Sequence, residues 1–247
     1  MKHVCIRTLS AWALMLVFGS AFAQEEMVEL DPAHNDVADT ASLQRGAKYF
    51  VNFCMGCHSA KYVRYNRLAE DLQIDDKDLE QNLMFTGDQP FDTMSIAMKP
   101  EDAKSWFGVA PPDLSLMARA RGTDYIYTFL RSFYVDDSSA TGVNNMVLPG
   151  TAMPDVLWQL QGVQKAMFEQ EEGSEHEHFV GFDLAEPGQL TEAEFDGVVR
   201  DIVNFLDYIG EPIQLERQRL GTRVIGFLLI LLLISYLLKR EIWKDVH

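Results

Sequence analysis

The segment Cys54-Met55-Gly56-Cys57-His58 constrains this chain more than any other. Two thiols lie three residues apart, about one helical turn, and an imidazole follows the second directly. That order is the pattern of covalent haem attachment: the thiols add across the two vinyl groups of the ring, and the neighbouring imidazole reaches the iron as proximal ligand. A zinc site would need two further ligands at metal spacing. The other histidines beyond the N-terminal segment, His34, His176, His178 and His247, lie far off in acidic or terminal stretches. A thioredoxin-like pair would follow a strand of a βαβ unit, and none is legible. With only 3 cysteines in 247 residues, neither a disulfide scaffold nor a four-thiolate zinc site is possible.

Both ends of the chain read as membrane-related. Met1–Arg7 carries Lys2 and Arg7, Leu9–Phe18 is a short apolar run, and Ala21-Phe22-Ala23 offers the small residues of a cleavage site. This is the pattern of an export signal ending at residue 23, with Gln24 the new start and Cys5 removed. An uncleaved anchor is the alternative, but the apolar run is too short for a bilayer core of roughly 30 Å. At the other end Val224–Leu238 contains no charged residue, and extension back to Leu220 gives a span-length segment with Arg223 snorkelling toward the head groups. Tyr236 and Trp243 suit an interface. A buried soluble helix is the competing reading, though so long an apolar run at a C-terminus is rare in one. Arg217, Arg219 and Arg223 before the run balance Lys239, Arg240 and Lys244 after it. The flanking charges therefore leave orientation open, and the export signal decides it: body outside, tail inside. The expected organisation is a signal over 1–23, an exported domain over 24–215, an anchor over 220–238 and a cytoplasmic tail over 239–247.

The formal net charge is −16, from 21 Lys+Arg against 37 Asp+Glu. A chain this acidic is a poor nucleic-acid binder, which needs a basic face. Leu43, Ala47, Phe50 and Val51 recur at helical spacing, so Thr40–Phe53 reads as a helix leading into the cysteines. Prolines 90, 100, 111 and 112 make Gln89–Asp113 mostly loop and short turns. Thr123 is placed to cap a helix through Tyr134, with Ile126, Phe129, Leu130 and Phe133 as its stripe. Asp136–Gly150 reads as loop, and Glu169–Glu177, with five glutamates, as a solvated excursion. Thr191 and Glu194 form a capping box before the stripe Phe195, Val198, Val199, Ile202, Phe205, Leu206 and Ile209, and Gly210 and Pro212 end that helix. No strand alternation stands out. The expected fold is mainly α, with loops too long for a bare bundle. A large cofactor packed among them would explain how they are held.

A thioether as sixth iron ligand would raise the potential and close the iron to substrates. The candidates are Met27, Met55, Met84, Met94, Met98, Met117, Met146, Met153 and Met167. Met55 lies inside the attachment segment and points away. Met153 is the best placed, because Gly150-Thr151-Ala152-Met153-Pro154 is a small-residue loop able to approach a ring closely, with Pro154 stiffening its backbone.

From about Leu43 to Lys244 the chain resembles the cytochrome c1 family. The resemblance rests on Arg45-Gly46 through Cys54, Cys57, His58 and Ser59 with Tyr62 and Tyr65; on Ala110-Pro111-Pro112-Asp113-Leu114-Ser115 with Arg119-Ala120-Arg121 and Asp124-Tyr125; and on Leu148-Pro149-Gly150-Thr151-Ala152-Met153-Pro154. It implies a cytochrome c-like, mainly α haem domain on one C-terminal transmembrane helix. One haem c would be held by Cys54 and Cys57, with His58 and Met153 as iron ligands. Arg121 would pair with a haem propionate, Tyr125 would hydrogen-bond nearby, and Pro112 would pack beside the ring. The implied activity is single-electron relay within a quinol–cytochrome c reductase. Electrons would pass from a Rieske iron–sulfur protein to a soluble c-type cytochrome, beside cytochrome b, in a dimeric complex of a bacterial inner membrane. The implied haem domain lies in the periplasm against membrane lipid. A free-standing tethered cytochrome or oxidase subunit shares these features except the proline-proline-aspartate and Arg-Ala-Arg segments. A peroxidase or gas sensor would instead keep an open iron position.

Overall fold

The computed structural model describes residues 28–170 and 177–245. The expected signal over 1–23 and the candidate ligand Met27 lie outside them. Asp39 accepts a hydrogen bond from the Ser42 amide at 3.0 Å and starts helix α1, Thr40–Tyr49. The helix does not stop at Tyr49 but widens into a π-helical turn over Phe50–Cys54, which delivers the first thiol. The Cys57 and His58 amides then fold back onto the Cys54 carbonyl at 3.1 and 2.9 Å, closing the attachment segment into a tight turn.

Strand β1, Ala60–Arg64, precedes helices α2, Tyr65–Leu72, and α3, Asp76–Asn82, and pairs antiparallel with the short β2, Thr93–Met94. Helix α4, Pro100–Phe107, has its proline in the first turn, where no amide partner is lost. Two short helices, α5 over Met117–Arg121 and α6 over Thr123–Arg131, meet at Gly122, whose φ of 88° favours glycine. Then come strands β3, Phe133–Val135, and β4, Val143–Asn145; helix α7, Trp158–Gln161; and a long hairpin of β5, Gly162–Gln170, with β6, Glu177–Pro187. Helix α8, Glu192–Gly210, opens on the expected capping box, Thr191 and Glu194 bonding each other's backbones. A short turn at Glu211–Ile213 leads into α9, Gln214–Ile242.

The core lies between α1 and α8. Val199, Ile202, Val203 and Phe205 are wholly buried, and the Phe50 and Phe205 rings meet at 5.3 Å. Burial of each such side chain is worth about 1.5–3 kcal/mol. The two helices touch backbone to side chain at Gly46, where a Cβ would stand 2.1 Å from the Asp201 carbonyl and 2.7 Å from Phe205 Cβ. The carboxylate of that same Asp201 takes two guanidinium bonds from Arg45, at 2.6 and 2.8 Å, and one from Ser42 Oγ at 2.7 Å. A short polar seam therefore fixes the register of an otherwise apolar contact.

The mainly helical fold is as expected, and several local expectations are corrected. Three two-stranded antiparallel sheets are present where no strand was legible. Helix α6 begins after Gly122 with no side-chain cap, so Thr123 is its first residue rather than its cap, and it ends at Arg131 rather than Tyr134. Phe133-Tyr134-Val135 suits a pleated surface and pairs with Val143–Asn145, inside the stretch expected to be loop. Gln89–Asp113 contains α4 and β2 as well as turns. The acidic excursion Glu169–Glu177 begins and ends on paired strand residues, while its centre lies outside the described residues. The C-terminal helix runs 29 residues, longer than the expected 220–238. It is long and apolar enough to cross a membrane.

Candidate functional site

The attachment segment opens onto a cavity of about 480 Å³ between the π-helical turn after α1 and helices α5, α6 and α8. Phe53, Cys54, Cys57 and His58 form one part of its wall, and Pro111, Pro112, Leu114, Met117, Arg121 and Tyr125 another. The loop from Leu148 to Pro154 completes it, with Leu206 reaching in from α8. Every residue expected to bind the cofactor is therefore on one cavity: Cys54, Cys57, His58, Met153, Arg121, Tyr125 and Pro112. Phe53, Phe129, Val156 and Leu206 line it too and were not foreseen as site residues. Their only sequence signal was apolar spacing, which marks core and pocket alike.

His58 is oriented from behind. Its Nδ1 stands 2.7 Å from the Pro112 carbonyl oxygen. A neutral imidazole donating from Nδ1 there leaves the Nε2 lone pair free for a metal. Burial lowers the His58 pKa, against the upward pull of that carbonyl and of Asp113, and so favours this ligand form. The carbonyl is itself laced in place. Asp113 accepts the amides of Lys61 and Ser115, each at 3.0 Å; Ser115 Oγ accepts the Tyr62 amide at 3.1 Å; and the Leu114 amide donates to the Ser59 carbonyl at 2.8 Å. The Pro112–Ser115 strap is thus stitched to the chain that leaves His58.

Burial, and then the neighbouring Cys57, pushes the Cys54 thiol up to about 12. The Arg121 guanidinium lies over the Tyr125 ring at 5.3 Å, and that ring stacks on Phe129 at 6.3 Å with an interplanar angle of 7°. Among the described residues Arg121 is the only guanidinium on the cavity wall. Arg119, two residues earlier, turns away to pair with Glu211.

Two of the candidate methionines, Met117 and Met153, are on the wall. Met55 is 3% exposed and faces away as expected, its Sδ 3.8 Å from the Tyr65 hydroxyl. Met94 is wholly buried in the core. Met153 sits on a loop that Gly150 turns at a φ of 74°. Beside it Asp155 accepts the Leu157 amide at 3.0 Å, yet burial raises its carboxyl to about 6. The folded state then binds this proton more tightly than the unfolded chain, so its contribution to stability is full below about pH 4 and is lost as pH rises through 6. Asp155→Asn is expected to flatten that descent, removing on the order of 2 kcal/mol of pH-dependent loss between pH 4 and 7. Urea titrations of both proteins across this range check it.

The donor set fits a haem: two soft thiols, an imidazole with Nε2 free, thioethers, one guanidinium for a carboxylate edge, and apolar walls for a flat ring. Together with the C-terminal span, these features define a membrane-anchored c-type cytochrome.

The comparisons narrow the class. Residues 33–246 match the Cytochrome C1 family. The chain is 54% identical over 220 residues to the cytochrome c1 of Allochromatium vinosum, covering 88% of this chain and 90% of that one. It is 43% identical over 235 residues to a protein of Nitrosomonas europaea named ammonia monooxygenase gamma subunit, covering 95% and 96%. It is 30% identical over 239 residues to the cytochrome c1 of Rhodospirillum rubrum, covering 84% and 83%. The chain belongs to the cytochrome c1 family, the haem-bearing electron-transfer subunits of the bc1 complex, and its cofactor is covalently attached haem c.

Proposed function

We propose that this protein relays single electrons from a Rieske iron–sulfur protein to a soluble c-type cytochrome, within a dimeric quinol–cytochrome c reductase that also contains cytochrome b. The observation that carries this reading is the one cavity on which both thiols, the back-bonded imidazole and the methionine loop converge. When bound, haem c supplies one-electron chemistry at its iron, with no substrate bond made or broken.

Each residue then has a part. Cys54 and Cys57 hold the group by thioether bonds. His58 and Met153 would ligate the iron and so leave no position open to small ligands. Pro112 fixes the imidazole through its carbonyl and packs beside the ring. Arg121, lifted over Tyr125, offers a charge-assisted partner to a propionate in an otherwise apolar wall, where an unpaired carboxylate would be costly. The domain over 24–215 lies in the periplasm, the segment 220–238 crosses the inner membrane, and 239–247 is cytoplasmic. Exported acidity of this size would favour a positively charged acceptor at low salt.

The test is gentle extraction of the tagged protein from its native membrane. The reading expects about two b haems for each c haem. It expects quinol to reduce the c haem only while the iron–sulfur protein is present, and added oxidised soluble cytochrome c to reoxidise it. A c haem alone, from a preparation shown to remain intact, would point to a free-standing tethered cytochrome.

A further inference from the structure

The loop that carries Met153 has little regular structure of its own. Strand pairing ends at Asn145, which stands opposite Phe133, while Asn144 stands opposite Tyr134. Beyond that point the Met146 amide still donates to the Ser132 carbonyl at 3.2 Å, and the amides after it find two side chains instead of a strand. Asn145 is wholly buried, and its Oδ1 accepts the amides of Val147 at 2.9 Å and Leu148 at 3.1 Å. Its Nδ2 donates to the Phe129 carbonyl at 2.8 Å, and Ser132 Oγ donates to its Oδ1 at 3.3 Å. The next grip comes from Asn144, whose Oδ1 accepts the Gly150 amide at 2.8 Å while its Nδ2 donates to Asp136 at 2.9 Å. From there the Thr151 amide bonds back to the Leu148 carbonyl at 3.2 Å, and the Met153 amide bonds to Thr151 Oγ1 at 3.3 Å.

We propose that Asn144 and Asn145 are positioning residues for the axial thioether: together they tie the loop from Val147 to Gly150 to β4 and α6, and so set where Met153 stands. The inference rests on the reading of Met153 as ligand. The two side chains act on different amides of one loop, and neither is on the cavity wall. Their effect is therefore transmitted through backbone placement rather than contact with the cofactor. A buried amide satisfied on both its oxygen and its nitrogen holds a single geometry, because any shift leaves a desolvated group unpaired. Phe129, the carbonyl partner of Asn145, also stacks on Tyr125, so the same tie joins the methionine side of the cavity to its arginine side.

The test compares full-length, haem-loaded protein in detergent: wild type, Met153→Leu, Asn144→Ala and Asn145→Ser. Two readouts are taken, the midpoint potential and the fraction of ferrous haem that binds carbon monoxide. Loss of one loop hydrogen bond is expected to raise the carbon monoxide-binding fraction by roughly two- to tenfold. The potential is expected to shift downward, with the helical far-ultraviolet signal and covalent haem content unchanged. Wild-type potential and a closed iron in both asparagine variants, alongside an opened Met153→Leu, would overturn the positioning role and keep the ligand. A closed iron in Met153→Leu itself would overturn the ligand reading and this inference with it. Should Asn145→Ser fail to accumulate, Asn144→Ala decides alone, since that side chain is only half-buried and removes a single loop contact.

Discussion

Met153→Leu is expected to convert a closed iron into an open one. Leucine keeps the volume and apolar character of the side chain while deleting its only donor atom, so the fold should tolerate it. A thioether opposite an imidazole favours the ferrous state, and its loss is expected to lower the midpoint potential by on the order of 0.1 V or more, within the ~0.8 V that axial ligands command. The ferrous form should then bind carbon monoxide readily. Redox titration and the carbon monoxide difference spectrum measure the two effects. Met117 is the internal control, since it lies on the same cavity wall. Met117→Leu should leave the potential near that of the wild type and the iron closed. If the two results are exchanged, the ligand is on α5 rather than on the loop after β4.

Gly46→Val should be the most damaging single change outside the cavity. The glycine allows α1 to lie directly on α8, and any Cβ would meet the Asp201 carbonyl at 2.1 Å, closer than real Cβ contacts come. The obstacle is backbone on a capped 19-residue helix, so it cannot swing aside as a side-chain tip could. The helices must separate, opening the Phe50–Phe205 contact and the Arg45–Asp201 pair together. A loss of about 3 kcal/mol or more is expected, above the usual cost of overpacking. Because α1 runs straight into the turn that carries Cys54, covalent haem content should fall in parallel. Urea unfolding and haem-stained yield measure both.

The parts legible in the sequence were those with short-range chemistry. The capping box before α8, the helix into the cysteines and the apolar C-terminal run each depend on neighbours within a few residues, and each is where its pattern placed it. The convergence of Cys54, Cys57, His58, Arg121, Tyr125 and Met153 on one cavity was legible through resemblance. It was not legible from spacing, because separations of up to a hundred residues carry no local period. The strands were missed for a physical reason. Lys165, Glu169, Asp183 and Glu186 interrupt the alternation of β5 and β6, and the bulges at Val163/Gln164 and Met167/Phe168 shift its phase. Helix α6 stops short of its apolar stripe: Phe133 starts β3 opposite Asn145 and packs edge-on against Phe129 at 5.1 Å. Met117 was not singled out among the methionines, since a core thioether and a wall thioether share one helical pattern.

The junction between α8 and α9 has a mechanical consequence. Glu211 sits in the turn between them and grips Arg119 of the haem domain with one oxygen and Arg217 of the anchor helix with both. The anchor runs on without a break for 29 residues, about 44 Å. Such a joint favours a mast over a leash, because ion pairs brace the head where a bare linker would leave a slack cord. Its redox centre would ride at a set height above the lipid, in a set attitude. Lengthening the turn at Glu211–Ile213 would slacken that rigging.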